Sequence, residues 1–224
     1  MTTTYQRQDD IESGSDARPR RAPAVALAVG AVLCASALAM HLRGGVDDVA
    51  FVRRVEASPD AWLAGHVFMG VGGILLLLGL TAVPRLVRGR GRRVVGVGVT
   101  LAGVGAASSA LGDVAHGALA YVLVGEVEAE QSLHIQERLF TQPLLAAVSM
   151  PALLLPLGMV VLGAGLLYSR AVPRPASVLV LVAPIAVQLG YMMTALPMPL
   201  MVLPLIAGVG WLALLVASAP QAAR

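Results

Sequence analysis

The sequence contains no lysine, a single cysteine and few charges: only 13% of its 224 residues are charged. The lone Cys34 excludes an internal disulfide and a cysteine-based metal cluster. With 57% apolar residues and a mean hydropathy of +0.79, the chain has more apolar surface than a soluble domain of this length can bury. A net charge of only +3 argues against a nucleic-acid partner. The composition therefore predicts an integral membrane protein.

Six apolar runs reach the length of about 20 residues that a membrane-spanning helix needs. The runs are continuous, whereas a transmembrane β-barrel would alternate apolar and polar residues, so we expect an all-α, polytopic bundle with short loops. Residues 1–22 are expected to form a disordered tail, residues 23–218 the six-helix transmembrane domain and residues 219–224 a short second tail. The runs cover residues 23–42, 61–84, 94–124, 141–168, 175–196 and 199–218.

The arginines predict the orientation of the bundle. Six spans place both termini on one side of the membrane. If that side is cytoplasmic, the inner segments hold twelve of the 16 arginines and the outer segments hold four. The positive-inside rule therefore predicts a multi-pass protein of the cell membrane with both tails in the cytoplasm. The outer segments are acidic, and the one from Glu126 to Glu137 is expected to be a solvated loop.

The third span carries small residues at helical spacing that lead to an acid. Steps of three or four positions place Gly98, Ala102, Gly105 and Asp113 on one face, which is typical of a helix contact within a membrane. Asp113 is the only acidic residue within a span, where a charge costs about 2.5–3.5 kcal/mol, so it is a functional candidate. Its distance from Arg93 along the helix, about 30 Å, places it in the outer half.

Two histidines accompany this acid. His116 follows Asp113 by three positions on the same face, so the two side chains can form a hydrogen bond that holds a proton ready for donation. His66, on the preceding span, is at similar depth and is the third catalytic candidate. The alternative interpretation is a polar pair that only joins helices.

The histidines do not predict a metal or a cofactor. His41, His66 and His116 have no HxxxH or HxxE partner on their own helices, so no metal is expected. His66 and His116 have the placement of axial haem ligands, but cytochromes of this kind carry more than one such pair.

The remaining candidates concern the walls of a substrate cavity. Pro151 and Pro156, inside the fourth run, are expected to kink that helix and to favour a cavity. An acid, a histidine and apolar walls suit protonation of an alkene or epoxide followed by carbocation cyclisation, provided that the acid is kept protonated and dry. Aromatic faces stabilise passing cations. The expected substrate-binding residues are Gln188, Tyr191, Tyr121 and Trp211.

The chain resembles small six-span membrane proteins of high-GC bacteria, in which an arginine-rich loop precedes a Gly/Ala-rich span that ends in an acid or histidine. Here these are Arg88 to Arg93, with the sequence RGRGRR, and Gly96 to His116. In size and composition it is similar to bacterial integral-membrane terpene cyclases. This resemblance implies that Asp113 is the proton donor for cyclisation of a prenylated, lipid-soluble substrate. The related fungal meroterpenoid cyclases have seven spans and two functional acids, whereas this chain has six spans and Asp113 alone.

A second hypothesis comes from a different class of protein. The chain can be a non-enzymatic multi-pass protein, either a small carrier or a subunit of a membrane complex, with Asp113 and His116 as a proton relay or as helix glue. Carriers of this size often contain inverted repeats, but the sequence shows no repeat beyond three helical hairpins. The expected partners are a lipid-soluble small molecule and membrane lipid, without nucleic acid, and the sequence predicts no oligomeric state.

Overall fold

The computed structural model of the chain describes residues 21–41, 49–192 and 198–219. Within these ranges the protein is helical and has no β-strand, so the predicted all-α class is confirmed for this part of the chain. The predicted tails lie outside the described residues except at Arg21, Ala22 and Ala219, and the first two of these are already helical.

The described part of the chain contains long helices of 16 to 32 residues and short helices of 7 to 12 residues. Two 3₁₀ turns, Val83–Leu86 and Met150–Leu153, connect neighbouring helices. The helices are α1 (Arg21–His41), α2 (Val49–Ala57), α3 (Pro59–Leu80), α4 (Arg92–Leu123), α5 (Ala129–Phe140), α6 (Pro143–Ser149), α7 (Leu154–Ser169), α8 (Arg174–Met192) and α9 (Met198–Ser218).

Five helical segments in the described ranges are long and apolar enough to cross a membrane, which indicates a multi-pass membrane protein. They correspond to the first, second, third, fourth and sixth predicted runs. The fifth run corresponds to α8, whose described apolar part, Arg174–Gly190, is shorter than the other five. The five segments are Arg21–Met40, Pro59–Leu86, Arg92–Leu123, Pro143–Ser169 and Pro199–Ser218.

The long helices form a closed ring that follows the order of the chain. α1 packs on α3, α3 on α4, α4 on α7, α7 on α8, and α8 on α9, which returns to pack on α1. The largest apolar core lies at the end of the ring where α1 and α8 begin and where α3, α7 and α9 end. Leu27, Leu80, Leu166 and Leu212, which belong to this core, are almost completely buried.

Small residues allow the helices of the ring to approach closely. The predicted stripe on α4 is confirmed, but it divides between two neighbours. Gly98 and Gly105 lie against the backbone of α7, whereas Ala106 and Ala110 lie against Gly73 of α3. Ala102, between the two sets, is fully buried. Because glycine and alanine have little or no side chain, the backbones themselves come into contact on both sides of α4.

The proline kink predicted in the fourth run is present as a break in the helix. Pro151 lies in the 3₁₀ turn that separates α6 from α7, and Pro156 lies in the first turn of α7, where its missing N–H costs no intrahelical hydrogen bond. The hydroxyl of Ser108 on α4 donates to the carbonyl of Val148 next to the break. A neighbouring helix thus satisfies a backbone group near the break.

The two outer segments are helices, so the prediction of a solvated loop from Glu126 to Glu137 is wrong. Most of this segment is α5, which packs against α2 and against the end of α4. Val52 and Val55 of α2 form a small core with Ala120 of α4, and Leu133 of α5 packs against it. A short amphipathic helix with one apolar face has no continuous apolar run, so neither α2 nor α5 stands out in the sequence as a span.

The charged side chains of the described residues separate by sign between the two ends of the ring. One end, called the arginine-rich end, carries Arg21, the five arginines between Arg85 and Arg93, Arg170 and Arg174. The other end, called the acidic end, carries α2 and α5 and holds all the described acidic residues except Asp113, together with three arginines. The predicted asymmetry of charge is therefore preserved in the folded chain.

Candidate functional site

The predicted histidines meet between α3 and α4, near the acidic end of the ring. Trp62 and His66 lie one turn apart near the start of α3, and His116 lies near the end of α4. The two helices approach closely because Gly70 of α3 lies against Ala110 of α4. The side chains of α2 and α5 that form the small core pack on Trp62 and cover this region.

The three rings form one aromatic cluster. The rings of His66 and His116 are stacked, with centroids 5.4 Å apart and an interplanar angle of 22°. The ring of Trp62 is tilted against both, with its centroid 4.2 Å from that of His66 and 5.8 Å from that of His116. His66 is only 2% exposed. The expectation that His66 and His116 lie at similar depth on adjacent helices is confirmed.

A backbone hydrogen bond fixes the ring of His66. Its Nδ1 lies 3.0 Å from the carbonyl oxygen of Trp62, one turn earlier on α3. A carbonyl oxygen only accepts hydrogen bonds, so Nδ1 carries a proton and donates it to this bond. In the neutral ring, Nε2 is then the basic nitrogen.

Gly117 of α4 makes room for this ring. A β-carbon at position 117 would collide with the His66 side chain, at 2.5 Å from Cγ and closer still to Cβ. The Cβ of His66 is bonded to the backbone and its Cγ is bonded to that Cβ, so neither can move away by rotation of a flexible side-chain end. The absence of a side chain at residue 117 is therefore a condition for the stacked histidine pair.

Replacing Gly117 by alanine is expected to destabilise the protein by about 1–3 kcal/mol, because the added methyl group displaces His66. The measurement is thermal unfolding in detergent together with the near-ultraviolet circular dichroism of Trp62, which reports the packing of the indole ring. Gly112→Ala is the control, since a β-carbon there would be 3.7 Å from Ser149 Oγ, an ordinary contact. Equal effects of the two substitutions would contradict this role of Gly117.

Asp113 lies one turn before this cluster and is half-buried. Its carboxylate is close enough to Cys34 of α1 to interact with it electrostatically. Asp113 follows Ala110 by three positions, so it lies on the side of α4 that packs against Gly73 of α3. The side chain that the sequence identified as the main candidate therefore lies on a packed side of its helix.

The predicted hydrogen bond between Asp113 and His116 is not present in the described part of the chain. His116 contacts the rings of His66 and Trp62 instead. The Asp113 carboxylate forms no hydrogen bond or ion pair with any described residue. The acid and the histidine are thus one turn apart along α4, and each has different surroundings.

The predicted substrate-binding residues are not gathered around the histidine pair. Gln188 of α8 is exposed, and Tyr121 and Trp211 are 39% and 36% exposed. No aromatic contact within the described ranges joins Tyr121 or Trp211 to the cluster. Tyr191 belongs to α8, but its side chain lies outside the described part. Substrate binding by these four residues stays a prediction.

Sequence reasoning missed two features of the site. Trp62 was not among the predicted site residues, although its spacing of four from His66 already places both rings on one helix face. Ser132 and Gln136 of α5 are 2% and 6% exposed, and the Gln136 amide donates to the Ser132 hydroxyl over 3.2 Å. Among the described residues, no three histidine, cysteine or acidic side chains come together as a metal-binding group.

No protein family, no curated protein and no solved structure matches the chain.

Proposed function

We propose that this protein is an integral-membrane enzyme that protonates a prenylated, lipid-soluble substrate and so starts its cyclisation through a carbocation. The observation that carries the proposal is Asp113, a half-buried acid on the side of α4 that packs against α3. It forms no hydrogen bond with a described residue, so its carboxyl group is not used to join helices. A half-buried acid within a span that forms no hydrogen bond with a described residue is a functional candidate.

In the proposed reaction, the Asp113 carboxyl group gives its proton to an alkene or epoxide of the substrate. The resulting carbocation is attacked by a double bond of the same molecule, which closes a ring. Loss of a proton from the cyclic cation forms the product alkene, and one proton returns to the Asp113 carboxylate. The proposed role of His116, one turn along α4, is to pass a proton to Asp113 between turnovers. The substrate gains one proton and the cyclic cation loses one, so the product is an isomer of the substrate.

Because the proposed product has the same mass as the substrate, mass spectrometry tests the reaction directly. Membranes from cells that make the protein beside a farnesylated acceptor pathway are extracted and analysed by liquid chromatography and mass spectrometry. We expect a new compound with the mass of the farnesylated acceptor and a different retention time, absent from cells that lack the protein. Consumption of the acceptor with a change of mass, or no product from any prenylated acceptor tested, would contradict the cyclase.

A second candidate function is supported by the aromatic cluster. His116 stacks on His66 and contacts Trp62, so both histidines have a place in the packing of α3 against α4. This favours a non-enzymatic role, as a small carrier or a subunit of a membrane complex, in which the cluster stabilises the end of the bundle. In that case the mass test gives no product, and Asp113→Asn leaves the function of the protein unchanged if Asp113 only joins helices but impairs it if Asp113 relays protons.

For the arrangement in the membrane, we propose six spans with both termini in the cytoplasm of a bacterial cell. The separation of arginines and acids between the ends of the ring supports this orientation, since basic residues are retained on the cytoplasmic side. A reporter joined after Arg224 is expected to fluoresce as a cytoplasmic fusion and to lack alkaline phosphatase activity. Phosphatase activity at that position would mean an odd number of spans or the opposite orientation.

A further inference from the structure

A cavity of about 590 Å³ opens at the arginine-rich end of the ring, between α7 and α8. Its polar wall contains three arginines, Arg90, Arg170 and Arg174, together with Tyr168 and Ser169. These arginines come from three helix ends, since Arg90 precedes α4, Arg170 follows α7 and Arg174 begins α8. The cavity has the size of a small-molecule site and is far from Asp113 along the helices.

The electrostatics of this cavity favour an anion. No carboxylate lines it, and every described acidic residue except Asp113 belongs to the acidic end of the ring. Its three arginines form no ion pair within the described ranges. Three guanidinium groups close together repel one another, and an anion placed between them removes this repulsion.

Local structure holds two of the arginines in place. The Arg90 Nε donates a hydrogen bond of 2.8 Å to the Tyr168 hydroxyl, and its guanidinium carbon is 5.0 Å from the centre of that ring. Gly89 and Gly91 on either side have φ angles of 71° and 85°, which a residue with a side chain rarely adopts. Arg170 itself has a φ of 55°, with its backbone N–H bonded to the Leu166 carbonyl. The side chain of Arg90 and the backbone of Arg170 are therefore in place before a ligand arrives, which lowers the entropic cost of binding.

The rest of the lining distinguishes a lipid from a free anion. Ala164 and Leu167 of α7 and Leu181 of α8 form an apolar wall that continues from the arginines into the span. The arginines lie at helix ends, the level at which phospholipid headgroups meet a bundle that crosses the membrane. Arginine binds phosphate oxygens through two parallel N–H groups, and the aliphatic wall matches an acyl chain.

We infer that this cavity binds an anionic phospholipid, with its phosphate between Arg90, Arg170 and Arg174 and its acyl chain along Leu181. The inference is independent of any reaction at Asp113. The site has a consequence for the fold, because a lipid held there bridges the ends of α7 and α8 to the turn before α4.

The test is native mass spectrometry of the full chain purified in dodecyl maltoside, titrated with phosphatidylglycerol, with phosphatidylcholine or with inorganic phosphate. We expect phosphatidylglycerol to bind with one-to-one stoichiometry and phosphatidylcholine to bind more weakly. In R170Q/R174Q, the affinity for phosphatidylglycerol is expected to fall by at least about 10-fold, the loss that one charge-assisted hydrogen bond produces. Both substituted residues are exposed and leave the bond between Arg90 and Tyr168 intact.

R88Q/R93Q is the matched control, because it removes two exposed arginines from the same end of the ring without changing the cavity lining. Its affinity for phosphatidylglycerol should stay within about 2-fold of the unchanged protein, since screened surface charges contribute little. Equal losses in the two double variants would show general attraction to the arginine-rich end and overturn the proposal. Displacement of the lipid by millimolar inorganic phosphate would also overturn it, because the cavity would then be a phosphate site that does not use the acyl chain.

Discussion

Replacing Asp113 by asparagine is expected to lower turnover of the prenylated substrate by at least about 100-fold, the lower limit typical of general acid catalysis. Asparagine keeps the volume and the polarity of the side chain but has no acidic proton. Because Asp113 forms no hydrogen bond with a described residue, the substitution removes no contact of the fold that the structure shows. The measurement is the rate of isomer formation in membranes, normalised to the amount of folded protein, with the melting temperature Tm of each variant in detergent.

Asp113→Leu is the companion variant that distinguishes chemistry from packing. If Asp113 donates the proton, leucine and asparagine abolish activity to a similar degree, and Tm changes little in either. If Asp113 joins helices, leucine lowers Tm and activity in proportion while asparagine retains both. Full activity of Asp113→Asn would exclude Asp113 as the proton donor and with it the proposed cyclase mechanism.

The role of His116 needs its own pair of variants, because the ring is part of the aromatic cluster. His116→Phe keeps a flat ring that can stack on His66 but cannot carry a proton, whereas His116→Ala removes the stacking as well. If His116 recharges Asp113, both variants are impaired without complete loss of activity. If His116 only packs, phenylalanine restores both activity and Tm, and only alanine lowers them.

Five of the six predicted spans were found in the described part of the chain, because a membrane-crossing helix carries its signal in local composition. The run at 141–168 also predicted its own break, since the effect of Pro151 on a helix is local. α2 and α5 were missed because each is short and buries only one face. The apolar face of so short a helix is stabilised by contact with a distant part of the chain, which the local sequence does not reveal.

The sequence named the two histidines that stack but predicted their contacts only in part. The periodicity of α4 placed Asp113 and His116 on one side of the helix. Whether these two side chains meet each other or different neighbours depends on how α4 is oriented against the helices around it. His116 stacks on His66 because α3 and α4 cross at small residues near Gly70, and a crossing point depends on both helices. The arginine cavity joins residue 90 to residues 170 and 174, and no local pattern connects positions so far apart.

The contact of α4 with α7 predicts opposite effects for two glycine-to-alanine substitutions. A β-carbon at Gly158 of α7 would lie 2.7 Å from the Cα of Ala102 and 2.8 Å from the carbonyl oxygen of Gly98, and closer still to the Ala102 nitrogen. All three atoms belong to the backbone of α4, so the two helices must separate to accommodate it. Gly158→Ala is therefore expected to destabilise the protein by about 1–3 kcal/mol, or by more if the separation spreads along the helices.

Gly96→Ala is the matched control within the same pair of helices. Gly96 also lies in a helix, but nothing is within 4 Å of the β-carbon that alanine would add. There the substitution only removes the flexibility of glycine and is expected to stabilise the protein by about 0.5–1 kcal/mol. Thermal unfolding in one detergent should thus give a lower Tm for Gly158→Ala and a higher Tm for Gly96→Ala. A rise in Tm for both variants would mean that α4 and α7 do not touch at Gly158. The ring of helices would then not be closed by the contact described here between α4 and α7.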